Sequence, residues 1–185
     1  KYKIPLDKFV YVTVGRNHPK KGFPVLLDAL AEMKKSGTIE NIHVVFVGKA
    51  MSDLLPRATE LGVAKYVTLV EELGVDPEDR EFRIPSTSLI ELYKSADACV
   101  FPSLIETFAM INIETIVDGV DGLISIAGDP IDLARKMEQL QSSPELRTKL
   151  SANGRSTVRH SFSWAVVGKQ FEDLYHSLLS NPSSK

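Results

Sequence analysis

The sequence predicts an α/β fold built on a doubly wound parallel sheet. Two observations predict it: short, almost continuously apolar runs recur along the chain, and amphipathic helical stretches fall between them. Length sets the frame, since 185 residues make one ample domain able to bury roughly two thirds of its unfolded surface.

The elements follow in order. Residues 1–8 (KYKIPLDK) read as a linker running into a first strand, FVYVTVG at 9–15. In residues 23–34 Val25, Leu26, Ala29, Leu30 and Met33 recur at three- and four-residue spacing, the apolar stripe of a helix. HVVFVG (43–48), YVTLV (66–70) and ACVFP (98–102) are further strands, apolar along their length as strands covered on both faces are. Helices are expected between them at 52–61 and 88–96. After Asp129 the pattern is helical to the end, at 131–141, 145–160 and 165–179. Asp129-Pro130, Ser143-Pro144 and Ser163-Trp164 each supply a capping side chain followed by a helix opener. The NPSSK terminus, 181–185, reads as a disordered tail.

Composition excludes several functions. Lys+Arg 22 against Asp+Glu 24 gives a net charge of −2, without the basic footprint that nucleic acid demands. No apolar run approaches the eighteen or so residues of a membrane span, and no signal peptide opens the chain. A single cysteine forms no internal disulfide, which fits a cytoplasmic setting.

In an open parallel sheet, ligands bind beyond the carboxyl ends of the strands, where helix N-termini present free N–H groups. The first strand ends in GRNHPKKGF: Gly15 permits a tight exit, Gly22 opens the next helix, and Arg16, His18, Lys20 and Lys21 lie between. An arginine and a lysine near a helix N-terminus suit a diphosphate; a solvated lysine loop is the plainer reading. No GK[ST] follows a spaced glycine, and G-x-G-x-x-G is absent. The second strand ends at Gly48, either a close approach of backbone to ligand or a simple turn glycine. The third runs into EELGVDPEDREFRIPST, a solvated loop or an ordered cover over a bound base.

The fourth strand leads into FPSLIETFAMINIETI, where Glu106 and Glu114 stand in a mostly apolar stretch. Their spacing alone means nothing, because 24 acids in 185 positions predict about three such pairs by chance. Their context carries the signal. Glu106 follows a buried strand and Glu114 falls two turns into the next helix, roughly 12 Å further on. That span suits a nucleotide-sugar gripped by its hydroxyls at both ends, since a carboxylate accepts two hydrogen bonds at once.

Taken in order, VGRNHPKKGF, HVVFVG, LIELYKSADACVFPSLIETF, the paired glutamates, IVDGVDGLI, DPIDLA and HSFSW resemble one family. The whole chain resembles the C-terminal, donor-binding domain of retaining GT-B glycosyltransferases of the glycogen-synthase-like, group 1 type. The resemblance implies a Rossmann-like GT-B half-domain over 9–180 with a helical C-terminal extension. It implies that Arg16 and Lys21 neutralise the donor diphosphate, that Glu106 faces the transferred sugar, and that Glu114 holds the ribose. Gly15, Gly48, Thr107, Phe108, Ala109 and Met110 would complete the donor site. A nucleoside-diphosphate sugar would be the donor substrate, with no metal or other cofactor; no clustered His/Asp set stands in the sequence. The acceptor would bind a separate N-terminal domain, through which any peripheral membrane contact would be made, and this domain alone would be inactive.

The resemblance breaks after Thr115. Where the family continues with a small-residue helix, a strand and a glycine turn, this chain passes directly to IVDGVDG, so about twenty residues are missing. Either they are deleted, or they are left out and the flanking ends joined. The second is preferred, because losing an interior strand would open the sheet.

Other residues read as structural. Cys99 is expected in the core and Trp164 as the anchor of the last helix. His43, His160 and His176 are expected to be structural or solvated, while His18 sits by the proposed phosphate site. Asp118-Gly119 and Asp121-Gly122 mark turns. The competing functions are a sugar-nucleotide epimerase or hydrolase of the same fold, and a regulatory domain that binds a partner without catalysis. A receiver-like module is disfavoured, because Gly-Arg-Asn, not an acidic pair, ends the first strand.

Overall fold

Val, Ile, Tyr and Phe dominate the strands because branched and aromatic side chains pack well on a pleated surface. A computed structural model describes residues 2, 4–5, 7–71, 73, 85–105 and 116–180. Four parallel strands form: β1 (Phe9–Val14), β2 (Ile42–Val47), β3 (Val67–Val70) and β4 (Ala98–Cys99). Their order across the sheet is β3-β2-β1-β4. β1 pairs with β2 from Phe9 opposite Ile42 to Val14 opposite Val47, and β2 pairs with β3 from Val44 opposite Val67. The expected parallel α/β fold is present.

All six residues of β2 are buried, as its interior place requires, whereas β3 at the edge is only half-buried. β4 pairs with β1 over two residues, Ala98 with Tyr11 and Cys99 with Val12. Asp97 fixes that pairing at its start: its carboxylate accepts from Val10 N at 2.8 Å while its own N–H donates to Val10 O at 2.8 Å.

Helices α1 (Phe23–Ser36) and α2 (Leu55–Glu60) follow β1 and β2, and α3 (Thr87–Ser95) precedes β4. Alternate strand residues face opposite ways. Tyr11, Val44 and Phe46 join Leu26, Leu27, Leu30 and Met33 of α1 in one core. Val10, Val12, Val45 and Val47 join Leu92 of α3 in a second. Helices thus cover both faces, as double winding demands. Helix α4 (Pro130–Ser142) adds Leu133, Ala134 and Met137 to the first core, and Met137 O accepts the buried Tyr11 hydroxyl at 2.6 Å. Asp129 caps it, its carboxylate accepting from Ile131 N at 2.9 Å and Asp132 N at 3.1 Å.

The chain divides into two compact units, 1–110 with 125–142, and 111–124 with 143–185. The second contains helices α5 (Pro144–Ser161) and α6 (Trp164–Ser180). Ser143 Oγ caps α5 at Leu146 N, 3.2 Å away, and Ser163 Oγ caps α6 at Val166 N, 3.4 Å away. The Asp-Gly pairs form the expected turn, with Asp121 Oδ1 accepting from Val117 N at 2.7 Å and Asp118 Oδ1 from Ile124 N at 2.8 Å. One face of α5 fastens it: Lys149 donates to Gly119 O at 3.2 Å, Asn153 to Val120 O at 2.7 Å, and Thr157 to Asp121 Oδ2 at 3.0 Å.

Two expectations about packing are corrected. Cys99 is exposed, because it lies on a strand paired along one edge only among the described residues and faces away from buried Val100. Trp164 is 90% exposed and is no anchor among the described residues: it stands in the first turn of α6, a helix without a buried residue. His43 is structural, buried with Nε2 2.8 Å from Thr68 Oγ1, while His160 and His176 are exposed.

Candidate functional site

The strand order reverses between β1 and β4, which makes their carboxyl ends a topological switch point, the place where open α/β sheets bind ligands. One bank is the β1 exit, residues 15–22. The chain leaves β1 still bonded to β2: Gly15 N donates to Val47 O at 2.9 Å and Asn17 N to Lys49 O at 2.9 Å. Exposed Arg16 stands between these two anchored residues. Residues Pro19–Lys21 then form a single 3-10 turn, capped by His18, whose Nδ1 accepts from Lys20 N at 3.2 Å. His18 therefore has a local capping role, a use that the sequence did not suggest. Half-buried Lys21 lies back along the exit, since a Cβ built on Gly15 would stand 3.8 Å from both Cδ and Cε of its side chain.

Two glycines allow this loop to touch its neighbours on either side. Gly22 caps α1 at φ 63°, and a Cβ there would stand 2.0 Å from the carbonyl oxygen of Pro102, just beyond β4. Gly48 has φ 139°, and its Cβ would stand 1.9 Å from the carbonyl oxygen of Gly15. Gly48 is therefore needed for backbone to approach backbone. Gly15 itself does not adopt positive φ, and a Cβ would meet only ordinary contacts. The tight constraint expected of Gly15 falls on Gly48 instead.

The other bank is the β4 exit, and it is tied to the first: Leu104 N donates to Lys20 O at 2.8 Å. The structure thus brings Arg16, Lys21, Gly15 and Gly48 together and joins them to the loop that runs toward Glu106. Glu106, Thr107, Phe108, Ala109, Met110 and Glu114 lie outside the described residues, as do 74–84 of the acid-rich loop and the tail 181–185.

Sequence reasoning overlooked two residues. Glu71, at the end of β3, accepts from Ala50 N at 2.8 Å and Ser52 N at 2.6 Å. Hydrogen bonds from Ser52, side chain and backbone, and from the Ala50 and Met51 backbone hold its carboxyl below the usual carboxylate range. Asn17 Nδ2 donates to Ala50 O at 3.0 Å. Both act on partners far along the chain, which no local motif signals. Among the described residues no cluster of three His, Cys, Asp or Glu could hold a metal, and no helix is long and apolar enough to cross a membrane.

The D-inositol 3-phosphate glycosyltransferase of Corynebacterium kroppenstedtii is 28% identical over 195 aligned positions, covering 95% of this chain and 42% of the relative. That of Corynebacterium efficiens is 30% identical, covering 93% and 43%. The chain thus spans less than half the length of these relatives. The first alignment holds about 19 positions filled by the relative alone, given that it takes in 95% of 185 residues. Among solved structures, HepE of Anabaena in complex with UDP superposes with a TM-score of 0.76 at 19% identity, covering 93% of this chain and 50% of that one. The C-terminal domain of the group 1 glycosyl transferase LpcC from Francisella tularensis matches with a TM-score of 0.66 at 21% identity, covering 88% of this chain and 89% of that one. The fold is thus the Rossmann-like one of the GT-B glycosyltransferases. The model for glycosyl transferases group 1 matches residues 1–116, well over half of the sequence. On these grounds the chain belongs to the group 1 glycosyl transferase family.

Proposed function

We propose that this chain is the donor-binding part of a retaining glycosyltransferase, taking a sugar from a nucleoside-diphosphate sugar. The observation that carries the reading is the juxtaposition at the switch point. Arg16 and Lys21 stand on the β1 exit, and the β4 exit, bonded to Lys20 O, runs toward Glu106. Breaking a sugar–phosphate bond leaves negative charge on the departing nucleoside diphosphate. The two cations neutralise that charge at a fixed position, and preorganised charge of this kind lowers the barrier. Glu106 faces the transferred sugar and Glu114 the ribose. The cations do the work for which a metal would otherwise serve, so EDTA should leave nucleotide binding unchanged.

HepE, a relative in fold, has been crystallised with UDP and glucose, which supports a nucleoside-diphosphate donor here. The curated relatives act, by name, on D-inositol 3-phosphate, but the chain covers only 42–46% of several of them. Acceptor identity is therefore not carried over. A separate N-terminal acceptor domain completes the enzyme in this reading, and a cytoplasmic setting keeps the exposed Cys99 thiol reduced.

Melting in the presence of UDP, GDP and ADP tests the donor assignment. A nucleotide at 100 times its Kd should stabilise the fold by about 2.7 kcal/mol. Each kcal/mol raises the midpoint roughly 2–4 °C at this size. Arg16→Ala and Lys21→Ala should each remove most of that rise. A flat response to all three nucleotides would remove the donor reading and favour a domain that only binds a partner protein.

A further inference from the structure

The β1 exit is held from behind by a relay of hydrogen bonds that crosses three strand ends. Glu71, leaving β3, accepts from the N–H groups of Ala50 and Ser52 at 2.8 and 2.6 Å. Ala50 has a left-handed φ of 63°, a conformation that disfavours a residue with a Cβ. The carboxylate draws two N–H groups of that turn onto itself and so holds the conformation. Ala50 O then accepts Asn17 Nδ2 at 3.0 Å, and Lys49 O accepts Asn17 N at 2.9 Å. Asn17 is the residue next to Arg16, and Gly15 on the other side donates to Val47 O at 2.9 Å. Both neighbours of Arg16 are therefore bonded to the β2 end, whose shape Glu71 sets.

We propose that Glu71 and Asn17 are positioning residues for the donor diphosphate: Glu71 holds the β2 turn, Asn17 couples that turn to the β1 exit, and together they set where Arg16 stands. The inference rests on the donor reading above, since it needs Arg16 to meet the diphosphate. Neither side chain touches the ligand in this account. Glu71 is 19 residues from one bonding partner and 21 from another, so the relay is built by the fold and not by local chain geometry.

The test is a double-mutant cycle read on nucleotide affinity, using whichever of UDP, GDP and ADP the chain binds most tightly. Ligand-detected NMR reads millimolar Kd values, so weakened variants stay measurable. Glu71→Gln and Asn17→Ala should each raise Kd about tenfold in the native background. In an Arg16→Ala background each should raise it less than twofold, because the residue they position is gone. Circular dichroism and urea midpoints identify folded variants; Asn17→Ala, which removes a single part-buried side-chain bond, serves where Glu71→Gln is destabilised. Unchanged affinity in the folded single variants would overturn the proposal. So would a full tenfold loss repeated in the Arg16→Ala background, which would mark an effect independent of Arg16. If the native chain binds none of the three nucleotides, the donor reading falls and the relay falls with it. If it binds one and only Arg16→Ala weakens it, the relay alone is wrong.

Discussion

A side chain on Gly48 would place its Cβ 1.9 Å from the carbonyl oxygen of Gly15, in a backbone conformation that L-residues rarely adopt. Gly48→Ala should therefore cost more than a strained φ alone, about 2–3 kcal/mol, and move the β1 exit. Gly37→Ala is the comparison: φ is 78° but nothing lies within 4 Å, so the cost should be about 1 kcal/mol. Urea titrations of the two variants check the difference. His43 gives a second residue-scale prediction. Burial depresses its pKa, so the folded chain refuses a proton that the unfolded chain takes up below about pH 6.5. The stability it contributes at neutral pH is lost as pH falls below that value toward the depressed folded pKa. The native urea midpoint should drop between pH 7 and pH 5, and His43→Asn should flatten that slope. At this scale the sequence was legible where chemistry is local. Arg16 and Lys21 stand on one exit loop, as their place between two glycines suggested. Glu71 and Asn17 were not legible, because an acid after a strand declares nothing about backbone donors some twenty positions away. Trp164 misled for a related reason: an aromatic's size says how much it can bury, while its burial depends on a partner surface.

Among the elements, the helices of the C-terminal half were marked in the sequence by their caps, and Asp129, Ser143 and Ser163 each accept the expected N–H. Ser143→Ala should cost about 1 kcal/mol, lowering the melting midpoint by roughly 2–4 °C. The shortest strand was the least legible element. ACVFP suggested pairing over 98–102, whereas the ladder pairs two residues, Ala98 and Cys99, with one further backbone bond from Val100 N to Val12 O at 2.9 Å. Helix α6 carries Phe171, Leu174, Tyr175 and Leu178 on one stripe, all more than half exposed. Phe171→Ser should accordingly change the urea midpoint by no more than about 0.5 kcal/mol equivalent. An equal substitution at Leu30, fully buried in α1, should cost several times as much.

For the whole molecule, alternation of strand and helix identified the architecture before any site was considered. Apolar runs give strands, intervening amphipathic stretches give helices, and right-handed crossovers leave few ways to assemble them. What alternation leaves open is the order β3-β2-β1-β4, which depends on where the chain jumps back past its first strand. That jump creates the switch point, so the site became geometric only with the structure. Stability should be uneven across the chain. Amides of α1, whose Leu26, Leu27, Leu30 and Met33 are fully buried, should exchange with deuterium only through global opening. Amides of α6 should exchange faster, and equal protection of both helices would contradict this account.

The glycine contacts and the relay behind Arg16 have a practical corollary for redesign. A graft that replaces the 48–52 turn alone, intended to alter which nucleoside is accepted in the proposed site, would also disturb the backbone on which Arg16 stands. If Arg16 meets the donor diphosphate as proposed, such chimaeras should lose grip on it whatever base they were built for, unless segments 15–17, 48–52 and Glu71 are transplanted as one cassette. Selectivity and binding strength would then be inherited together, and swapped loops from a relative would succeed only in matched sets.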